Sequence, residues 1–151
     1  VPIYFYSTRD NYGEFSNFSA HGVTIEGKYY RTTEHYFQSQ KYARVNPARE
    51  EQIRLAKSPK DAAEMGRERK YPLRPDWEQA KDDIMRVAVR AKFNQHPDLG
   101  KLLVSTGDEE LVEATSSDYY WGCGTNGGGK NMLGKILMEV RAELRQGLSG
   151  S

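Results

Sequence analysis

The chain has 151 residues, a length that suits one domain, with a formal net charge of +1 and a mean hydropathy of −0.81. So small a net charge sets up no field that would draw it to nucleic acid or an anionic membrane without a local patch, and no apolar run approaches the length of a membrane span. The single Cys123 excludes an intrachain disulfide and fits a reducing cytoplasm, no signal-peptide pattern is visible, and the scattered His21, His35 and His96 give no zinc spacing.

In chain order, Ile3-Tyr4-Phe5-Tyr6 is a short aromatic run of strand type, and Arg9 to Gly13 is a turn by composition. Val23-Thr24-Ile25 and Tyr29-Tyr30 flank Glu26-Gly27-Lys28 and predict a hairpin. Thr32 or Thr33 caps a first helix that runs to about Arg44. Asn46-Pro47 opens a second helix and Ser58-Pro59 a third, each with proline in the first turn. The third ends near Gly66-Arg67, and Tyr71-Pro72-Leu73-Arg74-Pro75 is a rigid connection. Asp76 caps a long helix through Phe93, with Trp77, Ala80, Ile84, Val87, Ala88 and Ala91 as its apolar set.

Beyond Pro97-Asp98, the leucines at 99, 102 and 103 predict a short helix, and Glu110 to Ala114 reads as a strand. The last helix repeats Leu133, Ile136, Leu137, Val140 and Leu144 at helical spacing, leaving Lys135, Glu139 and Glu143 to water. Residues 146–151 read as a frayed or vector-derived tail behind a domain of residues 1–145. Helices outnumber strands and no βαβ alternation appears, which predicts a single helix-rich α+β domain with a few short antiparallel strands. Nothing in the pattern prescribes an oligomeric state.

Two stretches carry chemistry. In Thr33-Glu34-His35-Tyr36-Phe37-Gln38-Ser39-Gln40-Lys41, helical spacing puts Glu34, Phe37, Gln38 and Lys41 on one stripe. A carboxylate, an amide, an ammonium and a ring make a wall for a polar pocket that holds a ring; the plain alternative is a solvated face with intrahelical pairs. Asp118-Tyr119-Tyr120-Trp121-Gly122-Cys123-Gly124 then runs through Gly127-Gly128-Gly129-Lys130-Asn131 into the last helix. Glycines allow close backbone approach, helix-start amides favour an anion, and Asn131 is an N-cap by type; the alternative is an ordinary loop with a capped helix behind it. It is neither a Walker loop nor a dinucleotide fingerprint. Cys123 stands open as a nucleophile or as a small residue in a glycine-flanked loop.

Taken together, Ser16-Asn17-Phe18, Glu34-His35-Tyr36-Phe37-Gln38 with Lys41, Met65-Gly66-Arg67, Trp77 with Lys81 and Met85, Leu111-Val112-Glu113, Trp121-Gly122, and Gly129-Lys130-Asn131 with Leu133-Gly134 and Arg141 stand in an order that resembles the YbiA-like proteins, also called NADAR. The likeness runs from about Ile3 to Leu144. It implies an N-glycosidase without a cofactor, acting on phosphoribosylamino-pyrimidine intermediates of riboflavin synthesis or on ADP-ribose attached to guanine in nucleic acid.

Either reaction cuts a ribosyl C1–N bond and builds positive charge at C1. On that reading Glu34 is the catalytic carboxylate, and Asp118 positions the ribose hydroxyls, assists proton transfer, or is only a turn aspartate before two tyrosines. Lys41 is either a fixed cation or a nucleophile that forms an imine with the opened sugar. Trp77 and Trp121, with Tyr36 and Phe18, are the stacking candidates; Trp77 also reads as core. Asn17 and Asn131 hydrogen-bond the base or sugar or simply cap loops, Gly122 is a further candidate for substrate contact, and Arg67 serves phosphate or a helix end. Nothing calls for a metal. The rival class is a non-catalytic ADP-ribose or nucleotide-binding module, in which a carboxylate at Glu34 would gain little against an anionic ligand.

Overall fold

A computed structural model of the protein describes residues 1–149. The chain forms two compact units, residues 17–92 and residues 1–16 with 93 onward.

In the unit of residues 17–92, β1 (Val23–Ile25) and β2 (Lys28–Tyr30) pair antiparallel, Val23 opposite Tyr30 and Ile25 opposite Lys28, as the turn residues predict. Helix α1 (Thr33–Gln40) starts where Thr32 Oγ1 accepts from the His35 amide at 3.2 Å. It stops four residues short of the predicted Arg44. The chain turns from Lys41 onward, and Arg44 takes a left-handed backbone with φ 71° that no helix accommodates. Helices α2 (Pro47–Arg54) and α3 (Pro59–Arg67) begin as expected. The Asn46 side chain accepts from the Arg49 amide and the Ser58 side chain from the Asp61 amide, with proline next in line. Tyr42, Ile53, Ala56 and Ala62 form the core where α1 packs on α2 and α3.

His35 joins these pieces. It is wholly buried, with Nδ1 2.8 Å from Thr32 Oγ1 and Nε2 3.0 Å from the Ala56 carbonyl. Burial holds its pKa below the ordinary value, so the ring stays neutral.

The long helix α3 leads to, α4 (Trp77–Gln95), is entered through the Asp76 carbonyl, which accepts from the Gln79 and Ala80 amides. The Asp76 carboxylate is gripped at both oxygens by Arg74. The buried residues of α4 in this unit include Trp77, Ile84, Met85, Ala88 and Val89, which corrects the predicted face: Val87 is 39% exposed and Ala80 and Ala91 are half-buried. Trp77 and the 84/85/88 positions define the stripe, and 87 lies roughly a hundred degrees from 88 around a helix.

In the other unit, β3 (Ile3–Phe5) pairs with β4 (Leu111–Glu113), Ile3 opposite Leu111. This pairing is parallel, a correction to the expectation of antiparallel strands. A chain that travels from Phe5 to Leu111 before pairing has room for the crossover that parallel strands need. Phe15, in a 3-10 turn over Gly13–Phe15, stacks edge-on against Phe5 and Phe93, each at 5.8 Å. Helix α5 (Pro97–Ser105) and β4 pack on α6 (Met132–Ser149). Leu133, Ile136, Leu137 and Val140 are buried and Leu144 half-buried, while Lys135, Glu139 and Glu143 face water. Helix α6 carries 146–149, where a tail was expected; residues 150 and 151 lie outside the described residues.

Candidate active site

Within residues 17–92 the predicted stripe on α1 is buried, although it is polar. Glu34 is 9%, Gln38 7% and Lys41 7% exposed. A solvated face is therefore excluded.

The start of α1 is pinned from below. Asn17 Oδ1 accepts from Thr33 Oγ1 at 2.8 Å, its carbonyl accepts from the Glu34 amide at 3.2 Å, and its Nδ2 reaches Met85 Sδ at 3.4 Å. Both ends of the Asn17 amide are thus engaged by the scaffold that aims Glu34. Gln38 Nε2 donates to Glu34 Oε2 at 2.7 Å. The carboxylate also sits in the first turn of α1, where the helix dipole favours a negative charge.

Lys41 closes the stripe. The Arg74 amide donates to its carbonyl at 2.8 Å, which ties the Tyr71–Pro75 connection to the end of α1. That tie brings Trp77 alongside: its ring lies 5.1 Å from Phe37, and Lys41 Nζ stands 5.8 Å from its centroid. Nζ donates to the Gly66 carbonyl at 3.2 Å. Burial, reinforced by Arg69 and then Arg67 against the pull of Glu34, lowers the Lys41 pKa to about 8. Trp77 is both core, at 7% exposure, and a wall beside the amine. Arg67 and Arg69 are exposed at the end of α3, and Arg69 donates to the Gly66 carbonyl at 2.7 Å.

Two further candidates belong to this unit. Tyr36 stands on the opposite side of α1, two residues or roughly two hundred degrees from Glu34. It packs edge-on against Tyr30 at 5.0 Å, and burial pushes its hydroxyl up to about 12. Phe18 is 40% exposed.

In the unit of residues 1–16 and 93 onward, the glycine-rich segment is a loop that hydrogen-bonds to itself. Asp118 Oδ1 accepts from the Tyr120 and Trp121 amides at 2.9 and 2.8 Å. The amides of Asn131, Met132 and Leu133 were expected to face an anion. They donate instead to the carbonyls of Gly122, Tyr120 and Trp121. The loop supplies its own acceptors for the helix start, so the anion site read from composition is filled by backbone.

Asn131 likewise differs from an N-cap. Its backbone is left-handed, its Oδ1 accepts from the Glu113 amide at 3.0 Å and its Nδ2 donates to the Leu111 carbonyl at 2.8 Å, so the amide stitches β4 to the start of α6. Gly122 is demanded by packing, since a Cβ there would lie 2.1 Å from Thr115 Cγ2. Trp121 is half-buried, edge-on to Tyr120 at 4.9 Å. Cys123 Sγ rests 3.4 Å from the Gly124 carbonyl. Among the described residues no three His, Cys, Asp or Glu side chains gather as a metal site.

Compared with known proteins, the chain matches the model of the NADAR domain over residues 4–145. The chain belongs to the NADAR family. It is 51% identical over 142 residues to N-glycosidase YbiA of Escherichia coli (strain K12), covering 94% of this chain and 88% of that one. The NMR structure of E. coli YbiA matches this fold with a TM-score of 0.87, over 95% of this chain and 84% of that chain. The riboflavin biosynthesis protein PYRR of Zea mays is 44% identical over an aligned length of 155, covering 94% of this chain and 25% of that protein.

Two features of this cluster lie beyond the sequence reading: the contact of Gln38 with Glu34, where the spacing gave Gln38 only a place in the wall, and the presence of Arg69 beside Lys41. The clustered charges of Arg67-Glu68-Arg69-Lys70 were the available signal for Arg69. For Gln38 it was the i, i+4 spacing from Glu34.

Proposed function

We propose that this NADAR protein hydrolyses the C1–N bond of a phosphorylated N-ribosyl amine through Glu34 and Lys41. The reaction class, cleavage of an N-glycosyl bond, is the one for which its half-identical relatives are named. The observation that carries the mechanism is the buried lysine. With its pKa lowered to about 8, Lys41 holds a sizeable neutral fraction near neutral pH, where an ordinary lysine holds almost none.

The neutral Nζ adds to C1 as the bond from C1 to the base nitrogen breaks, and the leaving nitrogen takes a proton. Loss of a proton from Nζ and opening of the sugar ring give a protonated imine between Nζ and C1, with the ring oxygen released as a hydroxyl. Water then adds to C1, Nζ departs, and ribose phosphate is left. Glu34 stabilises the positive charge at C1 and takes the proton from the incoming water. Trp77 walls the amine from solvent. The exposed Arg67 and Arg69 supply the charge for a phosphate. No step of this mechanism runs through Asp118, Trp121, Gly122 or Asn131.

The substrate we infer is a phosphoribosylamino-pyrimidine of riboflavin synthesis, a reading supported by the name of the maize relative. A panel of phosphoribosylamino-pyrimidines and ADP-ribosylated guanine, read by mass for free base and sugar phosphate, tests it. Release from the guanine compound alone would move the assignment there, and binding without release would favour a nucleotide-binding module. Borohydride during turnover is expected to leave a reduced sugar adduct on Lys41. Absence of the adduct together with an active Lys41→Arg enzyme would reduce Lys41 to a fixed cation. Glu34→Gln should keep affinity for an inert analogue and lose on the order of a hundred-fold in turnover.

A further inference from the structure

We propose that Gln38 and Gly66 form a positioning device that holds the Glu34 carboxylate ionised and in one rotamer. The inference rests on the reading of Glu34 as the reacting carboxylate. It starts from an anomaly: Gln38 Oε1 is buried and finds no hydrogen-bond partner among the described residues, in a side chain only 7% exposed. Native interiors rarely leave such an acceptor orphaned, because its lost hydration is not made good.

With Glu34 ionised, the orientation of the amide is forced. Nε2 lies 2.7 Å from Glu34 Oε2, and only the nitrogen end carries hydrogens for a carboxylate. Turning the amide over would set two oxygens face to face unless Glu34 were protonated. The oxygen must therefore point inward, and it points at Gly66. A Cβ on Gly66 would stand 1.9 Å from Oε1 and 2.6 Å from Cδ. Gly66 is the penultimate residue of α3 and its backbone needs no positive φ, so here glycine serves as a notch for the amide. Helix α3 thus fixes Gln38, and Gln38 fixes Glu34. A hydrogen bond donated to the ionised form of an acid favours that form. The orphaned oxygen is the cost of keeping a carboxylate charged inside the protein. Lys41, just past the end of α1, is the amine that feels Glu34, along with Arg67 at the end of α3, Arg69 beyond it and Glu78 from α4, and the variants below leave all of these charges in place.

The test uses Gln38→Met, Gly66→Ala and the double variant. Met keeps the length of glutamine without its donor or its orphaned acceptor, so Gln38→Met should fold with an unchanged or raised thermal midpoint. The carbon-13 signal of the Glu34 side-chain carboxyl, followed in a pH titration, should move its midpoint to higher pH in both single variants. The double variant should show no further shift, since both changes remove the same contact. Turnover of a phosphoribosylamino-pyrimidine should fall by about tenfold with KM nearly unchanged, the signature of a misplaced group. Should Gly66→Ala fail to fold, Gln38→Met decides alone. An unmoved Glu34 titration in Gln38→Met would overturn the inference, even with Glu34→Gln inactive. A Glu34→Gln enzyme of wild-type turnover would instead remove the reading beneath it.

Discussion

On the proposed mechanism Lys41 is where stability and function pull apart, and Lys41→Met measures the difference. In an unfolded chain its amine titrates near the ordinary 10.5, and in the fold near 8. The folded state therefore binds a proton less readily, and the term works against folding wherever the unfolded amine is charged. The sign follows: the penalty is complete below about 8, shrinks as pH rises from there towards 10.5, and is gone above it. A difference of about 2.5 units corresponds to about 3 kcal/mol at pH 7 and under about 1 kcal/mol at pH 10. At 7% exposure, solvent screening takes little from that figure. Methionine matches the stem and loses the hydrogen bond to the Gly66 carbonyl, worth about 1 kcal/mol. Lys41→Met should thus be more stable than wild type by about 2 kcal/mol at pH 7, with the advantage fading by pH 10, and should be inactive. Urea unfolding at the two pH values reads this directly. A variant destabilised at pH 7, or equally stabilised at both, would show that the amine is not held in an environment hostile to its charge.

Activity should rise with pH through about 8 if the neutral Lys41 amine attacks, and should fall there if only its charge is used; a kcat/KM profile decides, with Lys41→Arg as the non-titrating control. His35 is neutral because burial lowers its pKa from 6.5, so its contribution to stability is whole above that value and lost as pH falls. Thermal melts between pH 7 and pH 5 should show a loss that a His35→Gln variant does not share. Leu137→Ala removes a fully buried side chain from the apolar stripe of α6 and should cost about 2–5 kcal/mol by denaturant unfolding; a smaller loss would mean the stripe packs loosely. Asp118→Ala should speed hydrogen exchange at the Tyr120 and Trp121 amides and leave the global midpoint almost unchanged, because their acceptor is a loop side chain outside the core.

The helices and their starts were legible because their causes are local. Thr32, Asn46 and Ser58 cap from within three residues, proline at the first turn needs no partner, and the period of Leu133 to Val140 records which side of α6 is dry. The polar stripe was legible in membership for the same reason, as Glu34, Gln38 and Lys41 share a face by spacing alone. Whether that face met water was not, since polar residues at helical spacing read equally as a solvated surface. Tertiary packing decided it. The Tyr71–Pro75 connection, tied to the Lys41 carbonyl, sets Trp77 beside the amine, and α3 lays Gly66 against Gln38. The lowered pKa of Lys41 exists only after burial and after Arg69 arrives from 28 positions along the chain. The parallel pairing of β3 with β4 and the capture of the Asn131 amide by β4 are long-range as well. Composition correctly placed a glycine loop before α6. It could not say that the loop's own carbonyls would take the helix-start amides, because that depends on where each carbonyl points once the chain has closed on itself.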